Sequence, residues 1–393
     1  MKLLTLLVVS GVSAQIAGQQ VSANPIITIL AFLLMLFILV VVHELGHFAV
    51  ARWFGIGVAE FGIGYPPRAF TLFERNGVKY TFNWLPLGGF VRFRDEENLI
   101  YGAGGTLAAA KPWKKIPVMV AGPLMNLLLA ILIFAVMAST VGVRQPTGTV
   151  LINQVFPGSP AAQGGLRDGD ELLSLNGQTI TGRDDITNIS QQNPGRPVTA
   201  VVRRDGAEQT LTITPGPWTT PDGEQRAVGL GISYGNRSQL LQASNPIEAV
   251  TLGSSQTWLL LQQMFVGLAQ LPSAIGGLFT PMTASVEEPI GPVGLARATG
   301  EVINRDGGML AFWNLTAILS LNLFLLNLLP IPALDGSHIV FSIIEWLRGG
   351  KKVPADKEAL VHAMGFAALM GLMLLITVND VIRAIQGTPV LGG

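Results

Sequence analysis

Ile26 to Val42 is a run of seventeen residues without a charge, and it leads straight into His43-Glu44-Leu45-Gly46-His47-Phe48. Only a helix satisfies its own backbone in so apolar a stretch if that stretch enters a bilayer. Polar groups at that depth cost roughly 2.5–3.5 kcal/mol each on insertion scales, so they are expected to be paired or to bind something. On a helix, His43 and His47 are four residues apart and project from one face. Their two imidazoles can meet one Zn²⁺, with Glu44 beside them as the base for an attacking water. An H-E-x-x-H pattern also arises by chance in many helices, but its setting inside an apolar helix argues against chance.

Hydrophobic residues make up 49% of the 393-residue chain and charged residues only 13%, about half the usual charged share of a soluble protein. The composition implies an integral membrane protein with some water-exposed mass. The formal net charge of +0 gives nucleic acid no purchase. Without cysteine there is neither a disulfide framework nor a thiolate metal site. A transition metal must use His, Asp or Glu, and the histidines are four: His43, His47, His338 and His362.

Residues 1–24 read either as a signal-like segment, Lys2 before the apolar Leu3–Val12, or as an amino-terminal extension. Residues 25–54 form the first transmembrane helix with the zinc motif. In 55–115, the stretches 78–84 and 89–93 read as two strands joined by a turn at Leu85-Pro86-Leu87-Gly88. This β-hairpin either re-enters the membrane or lies as an ordinary cytoplasmic hairpin. Residues 116–143, uncharged throughout, form the second transmembrane helix, in which Asn126 either binds a partner backbone or serves only a neighbouring helix. Residues 145–235 carry Gly169-Asp170-Glu171-Leu172-Leu173-Ser174-Leu175-Asn176-Gly177 and resemble a PDZ domain, mainly β. Such a domain either binds a peptide at a sheet edge or acts as a size filter. Residues 246–308 read as an extracytoplasmic amphipathic helix and loop, 309–336 as the third transmembrane helix with an Asp-bearing loop, 337–358 as a cytoplasmic loop, and 359–383 as the fourth transmembrane helix.

Seven of the eight lysines fall in 55–115 and 337–361, and none in the PDZ-like region. The positive-inside rule makes the two basic segments cytoplasmic and the PDZ-like domain extracytoplasmic. The zinc motif and Asp335 then sit at matching depth near the cytoplasmic side. Pro330 and Pro332 end the third helix, and Asp335 is the only carboxylate between Asp306 and Glu345. A catalytic zinc takes three protein ligands, and His43, His47 and Asp335 are the candidate set, with Glu44 as general base. Asn327 is a candidate for the substrate backbone or oxyanion, Asn322 for packing in the bundle, His338 for a bystander, and His362 for a contact with another helix. An unwound substrate could pair with the edge of the 78–93 hairpin.

Five stretches in order carry a resemblance: His-Glu-Leu-Gly-His at 43–47, Gly-Gly-Phe-Val at 88–91, Ala-Gly-Pro-Leu-Met-Asn at 121–126, the PDZ-like region, and Asn-Leu-Leu-Pro-Ile-Pro-Ala-Leu-Asp-Gly at 327–336. The chain resembles the site-2 protease family of intramembrane zinc metalloproteases, in the bacterial regulator-of-sigma-E-protease form with a single PDZ domain. The resemblance implies a polytopic α-helical membrane protein of four transmembrane helices in the cell inner membrane, with a membrane-associated β-hairpin. It implies a Zn²⁺ cofactor and regulated cleavage of single-span membrane proteins such as anti-sigma factors, with clearance of remnant signal peptides as a further activity. Asn126, Asn327, Gly89 and Phe90 are the candidate substrate-binding residues. The chain departs from many relatives in its first 24 residues and in Ser337, where Asp-Gly-Gly-His is common. Three other readings compete: a silent membrane scaffold, a zinc peptidase of water-exposed peptides, and a metal transporter. The complete ligand set, the absence of a suitable later helical Glu, and spans nearly free of polar groups weigh against them in turn.

Overall fold

Asn24 accepts the Ile26 amide through its side chain and opens helix α1 (Pro25–Trp53), whose Pro25 needs no hydrogen-bond partner at the first position. The structure, a computed structural model, describes residues 24–94, 106–180, 182–220, 225–269, 290–303 and 307–386. The extension up to residue 23 and most of the stretch from Pro272 to Pro292 lie outside the described residues. The chain divides into two units, Met1–Val141 together with Ala243–Gly393, and Gly142–Gln242.

In the first unit α1 is followed by β1 (Val58–Arg75), β2 (Val78–Phe93) and helix α2 (Pro112–Thr140). The two strands double back. Phe61 is partnered by both Tyr80 and Val91, Gly62 by both Thr81 and Phe90, while Phe70 and Thr71 face Phe82 and Thr81. The sheet therefore runs 68–75, 78–83, 58–63, 89–93, all antiparallel. This corrects the expected hairpin: 78–84 and 89–93 do not pair with each other, because 58–63 lies between them. Glu60 in that inner segment is buried and accepts from Arg68 (2.9 Å) and Thr81 (2.7 Å), with Arg92 against its other oxygen. Among the described residues, no strand pairs with the other edge of the outer segment 89–93.

Packing of α1 on α2 depends on a missing side chain. A Cβ on Gly46 would overlap the Ala121 carbonyl oxygen and lie 2.7 Å from Met125 Cγ. Helix α2 also carries Pro117 and Pro123 in its interior. Four more helices follow the second unit, named here α5 (Pro246–Ala269), α6 (Pro292–Ile303), α7 (Gly308–Leu328) and α8 (Asp335–Leu347), before α9 (Ala355–Gln386). Gly253 of α5 lies so close to α2 that a Cβ there would be 2.6 Å from the Ala135 amide nitrogen. Phe134, Leu261, Met264 and Leu321 join α2, α5 and α7 in one apolar cluster. Met35, Leu39, Ala298 and Phe312 join α1, α6 and α7 in another.

Four of the described helices, α1, α2, α7 and α9, are long and apolar enough to cross a bilayer, at 29, 29, 21 and 32 residues. Two expectations need correction. Residues expected to be a cytoplasmic loop after 337 form the 13-residue helix α8, which the spacing of Ile339, Val340, Ile343, Ile344 and Leu347 could have revealed. Helix α9 exceeds the expected 359–383 at both ends, running from Ala355 to Gln386. Asp380 is buried and accepts the Gly294 amide (2.7 Å) at the start of α6.

The second unit holds β3 (Val143–Val155), a short helix α3 (Pro160–Gln163), β4 (Glu171–Leu175), β5 (Gln178–Thr179), α4 (Arg183–Gln192), β6 (Val198–Arg204), β7 (Ala207–Ile213), β8 (Gly216–Thr219), β9 (Gln225–Gly229) and β10 (Ile232–Leu241). Its main sheet has the order β10-β3-β4-β6-β7, with β5 beside β4, and β8 and β9 form a separate ribbon. Alternation along β6 turns Val198, Ala200 and Val202 into a core shared with Ile152, Leu172, Leu175 and Ile213. Asp170, buried at the start of β4, receives two bonds from Arg204 (both 2.7 Å) and one from the Arg167 amide (2.8 Å).

Burial by itself raises the Asp170 carboxyl, but the Arg204 and Arg167 hydrogen bonds outweigh it and hold the group below the ordinary aspartate range. Stability from this pair is fully present above the unfolded-chain pKa of about 3.9 and is lost as pH falls through the lowered native value. Arg204→Met should destabilise this unit by about 2 kcal/mol, after discount for solvent at the guanidinium. Hydrogen exchange along β4 and β6 in the full-length protein measures the loss, and the deficit should shrink as the pH is taken below the native value.

Candidate metal centre

His43, His47 and Asp335 converge. The Nε2 atoms of the two histidines are 3.1 Å apart, and Asp335 Oδ2 lies 3.0 Å from His43 Nε2 and 3.3 Å from His47 Nε2. The rings stand edge to face, their centroids 4.8 Å apart. Both histidines are buried. A tetrahedral ion with bonds of about 2.0–2.1 Å sets its ligands about 3.3 Å apart, close to all three separations. Two imidazole nitrogens turned on each other at 3.1 Å cannot both carry protons. At least one lone pair therefore faces the space shared with the Asp335 carboxylate, and two imidazoles with a carboxylate are a donor set that suits a divalent ion such as zinc.

Helix α2 makes this space. A Cβ on Gly122 would overlap His47 Nε2 and lie 2.8 Å from His43 Nε2, so only glycine leaves room for the two rings. One turn before it, the Val118 carbonyl oxygen accepts from His47 Nδ1 at 2.7 Å. That bond fixes the tautomer of His47 and turns its Nε2 lone pair inward. One turn after it, Asn126 reaches His43 Nδ1 at 3.2 Å. Asn126 was expected among the substrate contacts; it is instead fully buried against a candidate ligand.

Asp335 begins α8, where a carboxylate is favoured by the helix dipole. Its neighbour Gly336 is pressed on the Leu329 carbonyl, which a Cβ would overlap. At the far end of α8, Glu345 pairs with Lys115 of α2 at 2.7 Å, both largely buried. In the connecting turn Ala333 has φ 74°, a left-handed conformation that costs a residue with a Cβ. His362 of α9 supports that turn, with its Nδ1 accepting the Ala333 amide at 3.1 Å. His362 was expected to contact another helix; its ring lies against His338 and Phe341 of α8, and its Nδ1 meets the turn leading to Asp335.

His338, Glu358 and His362 form a second group with metal-binding potential. The two rings stack at 4.3 Å, and Glu358 Oε1 lies 3.7 Å from His338 Nδ1 and 3.9 Å from His362 Nε2. The tautomer argues against a metal there. A neutral His362 that accepts at Nδ1 carries its proton on Nε2, the atom the ion would need.

Glu44 turns to the sheet. Its Oε2 accepts the Val91 amide at 3.0 Å, on the edge of segment 89–93 that no strand occupies among the described residues. Gly88 and Gly89 bring that segment against α1. A Cβ on Gly88 would lie 2.6 Å from Val40, and one on Gly89 would lie 2.9 Å from the Gly62 carbonyl and 3.9 Å from Glu44 Cγ. Phe90 is half-buried, its ring across Gly62 and 6.3 Å from that of Tyr65. Asn327 is half-buried and has no hydrogen bond among the described residues. Asn322 is buried in the bundle and donates to the Ile318 carbonyl. The Val118 and Val91 contacts were not foreseen, because main-chain partners leave no mark in a sequence.

The sequence model of Peptidase family M50 matches residues 31–372. A zinc-metalloprotease homologue in Rhizobium meliloti is 32% identical over 372 residues, covering 90% of this chain and 96% of its own. The protease eep of Enterococcus faecalis is 31% identical over 438 residues, 91% of this chain and 99% of its own. Zinc metalloprotease RasP of Geobacillus kaustophilus is 30% identical over 437 residues, 90% and 97%. Among solved structures, the PDZ domain of an SdrC-like protein from Listeria innocua covers 23% of this chain and 96% of its own at 21% identity, with a TM-score of 0.19, too low to carry an argument about fold.

Gly122→Ala should abolish tight binding of a divalent ion while leaving the helix content intact. Metal content after dialysis, with circular dichroism alongside, measures both; an alanine variant that keeps its ion would mean that the rings can move aside.

Proposed function

The chain belongs to peptidase family M50, and on that premise we propose that it is a zinc metalloprotease that cleaves peptide bonds within the transmembrane segments of single-span membrane proteins. The observation that carries this reading is the meeting of His43, His47 and Asp335 within 3.3 Å, beside Glu44 and among helices fit to cross a bilayer. His43, His47 and Asp335 are the proposed ligands. A zinc ion held by them supplies Lewis-acid polarisation of the scissile carbonyl and makes water acidic enough to be deprotonated near neutral pH. Glu44 is the proposed general base, which takes the proton from the attacking water and returns it to the leaving amine.

A helical substrate hides its carbonyls in its own hydrogen bonds and must be unwound before attack. The open edge of 89–93 offers main-chain partners for an unwound segment, and the Val91 amide on that edge already touches Glu44. Pairing along Gly89 and Phe90 would bring a substrate carbonyl next to the base, and Asn327 is free to bind the substrate backbone or the oxyanion. Exposed Trp84, Leu85, Phe70 and Phe73 on the same sheet favour contact with lipid.

The lysine distribution supports a multi-pass protein of the inner membrane with 55–115 and 337–358 cytoplasmic and 145–235 outside. We read 145–235 as a PDZ domain that either takes a peptide end or screens out bulky substrates. Anti-sigma factors and remnant signal peptides are the proposed substrates.

With a model single-span substrate in liposomes, Glu44→Gln should keep zinc and lose cleavage by about 100- to 10,000-fold, and Asp335→Ala should lose zinc as well. Residual wild-type cleavage by Glu44→Gln would place the base elsewhere, and a folded wild type without zinc would end the protease reading. Val91→Pro removes the amide donor to Glu44 and should lower cleavage more than zinc content; equal loss of both would indicate misfolding.

A further inference from the structure

We infer that Asn126 is a positioning residue for His43: its side-chain carbonyl accepts the His43 Nδ1–H and so leaves the Nε2 lone pair directed at Asp335 and His47. The inference rests on the zinc reading of that cluster and goes beyond it to the residue that prepares one ligand.

Asn126 has no exposed surface, and its amide lies 3.2 Å from His43 Nδ1. Its Oδ1 is buried without a partner. The two ends of a side-chain amide have nearly the same shape, so their assignment follows from what they face. With the nitrogen toward Nδ1, as the structure has it, the amide donates and a neutral His43 must carry its proton on Nε2. That proton would point into the space where His47 Nε2 and Asp335 Oδ2 stand at 3.1 and 3.0 Å, and it would block coordination. With the amide turned over, the unpartnered Oδ1 accepts Nδ1–H and the block is removed.

The other histidine shows the same design. His47 Nδ1 meets an acceptor with no such ambiguity, the Val118 carbonyl oxygen at 2.7 Å. Val118, Gly122 and Asn126 lie four residues apart on one stripe of α2. Val118 orients one ring, Gly122 makes room for both, and Asn126 orients the second. The Asn126 backbone is itself held, since its carbonyl accepts from Ser320 of α7 at 2.7 Å. An imidazole ligand usually gives its second N–H to an oxygen acceptor, and loss of that acceptor weakens metal binding 10- to 100-fold.

The test combines two variants with a measurement on the unaltered protein. Full-length Asn126→Leu and Asn126→Asp are titrated with zinc against a chelator, and their cobalt(II) forms are compared by visible absorption. Asn126→Leu should bind zinc 10- to 100-fold more weakly. Asn126→Asp, whose carboxylate can accept the same proton, should bind at least as tightly as wild type and give a cobalt spectrum close to it. An aspartate variant as weak as the leucine variant, or a leucine variant with unchanged affinity, overturns the inference. Should a variant fail to fold, ¹⁵N spectra of the metal-free wild type labelled at its four histidines decide. His43, assigned by its loss in His43→Gln, should carry its proton on Nδ1, and a proton on Nε2 overturns the inference. A wild type that binds no zinc would sink the metal reading, whereas zinc bound with that tautomer wrong would sink only the role of Asn126.

Discussion

Two imidazole rings occupy the volume that a side chain at Gly122 would fill, and the rest of the first unit is arranged around that vacancy in the sequence. Helix α1 can bring its histidines there only because Gly46 lets it lie against the Ala121 carbonyl. Close helix contact through small residues is the common device for apolar helices that have no hydrophobic driving force between them. Here it also brings a main-chain oxygen and an asparagine into reach of the rings. Packing and site preparation are thus the same contact seen from two sides.

The third member of the cluster arrives from 292 residues away and needs separate support. Helix α8 starts at Asp335, is tied at its far end by the Lys115–Glu345 pair, and is preceded by a turn with a left-handed alanine. Breaking a buried pair such as Lys115–Glu345 typically costs roughly 3–5 kcal/mol, because it strands a charge. The ion pair therefore ties the helix that carries Asp335 to the helix that faces both histidines. His362 and Asp380 attach α9 to this framework near its two ends, at Ala333 and Gly294.

Much of the site was legible because its chemistry is sparse. With four histidines and few carboxylates near apolar helices, His43, His47 and Asp335 stood out, and the structure brings those three together. The four long apolar helices were legible from uncharged runs. What escaped did so for physical reasons. Segment 58–63 pairs on both sides and so lacks the simple alternation that marks a half-buried strand. Helix α8 carries a helical apolar spacing at Ile339, Val340, Ile343 and Ile344, but the prolines before it and the basic residues after it give the stretch the look of a loop. Asn126 was visible as a polar group at depth, but sequence spacing could not tell a substrate contact from a contact with His43.

The bond from the Val91 amide to Glu44 has a consequence for how the sheet must fold. No side chain at position 91 makes that bond, so substitutions there that keep the amide leave it intact. Register is another matter. Sliding 89–93 by one residue along 58–63 would move the donor about 3.3 Å away, or turn the strand over and exchange its two faces. A slide in one direction would bring Phe90 into the place of Gly89, where the Gly62 carbonyl stands 2.9 Å from a Cβ; a slide in the other would bring in Gly88, which has none. A misregistered sheet could keep nearly all its hydrogen bonds and still leave the carboxylate unheld. Strand alignment in this protein is thus a condition for holding the Glu44 carboxylate, and Gly89 opposes the slip in one direction.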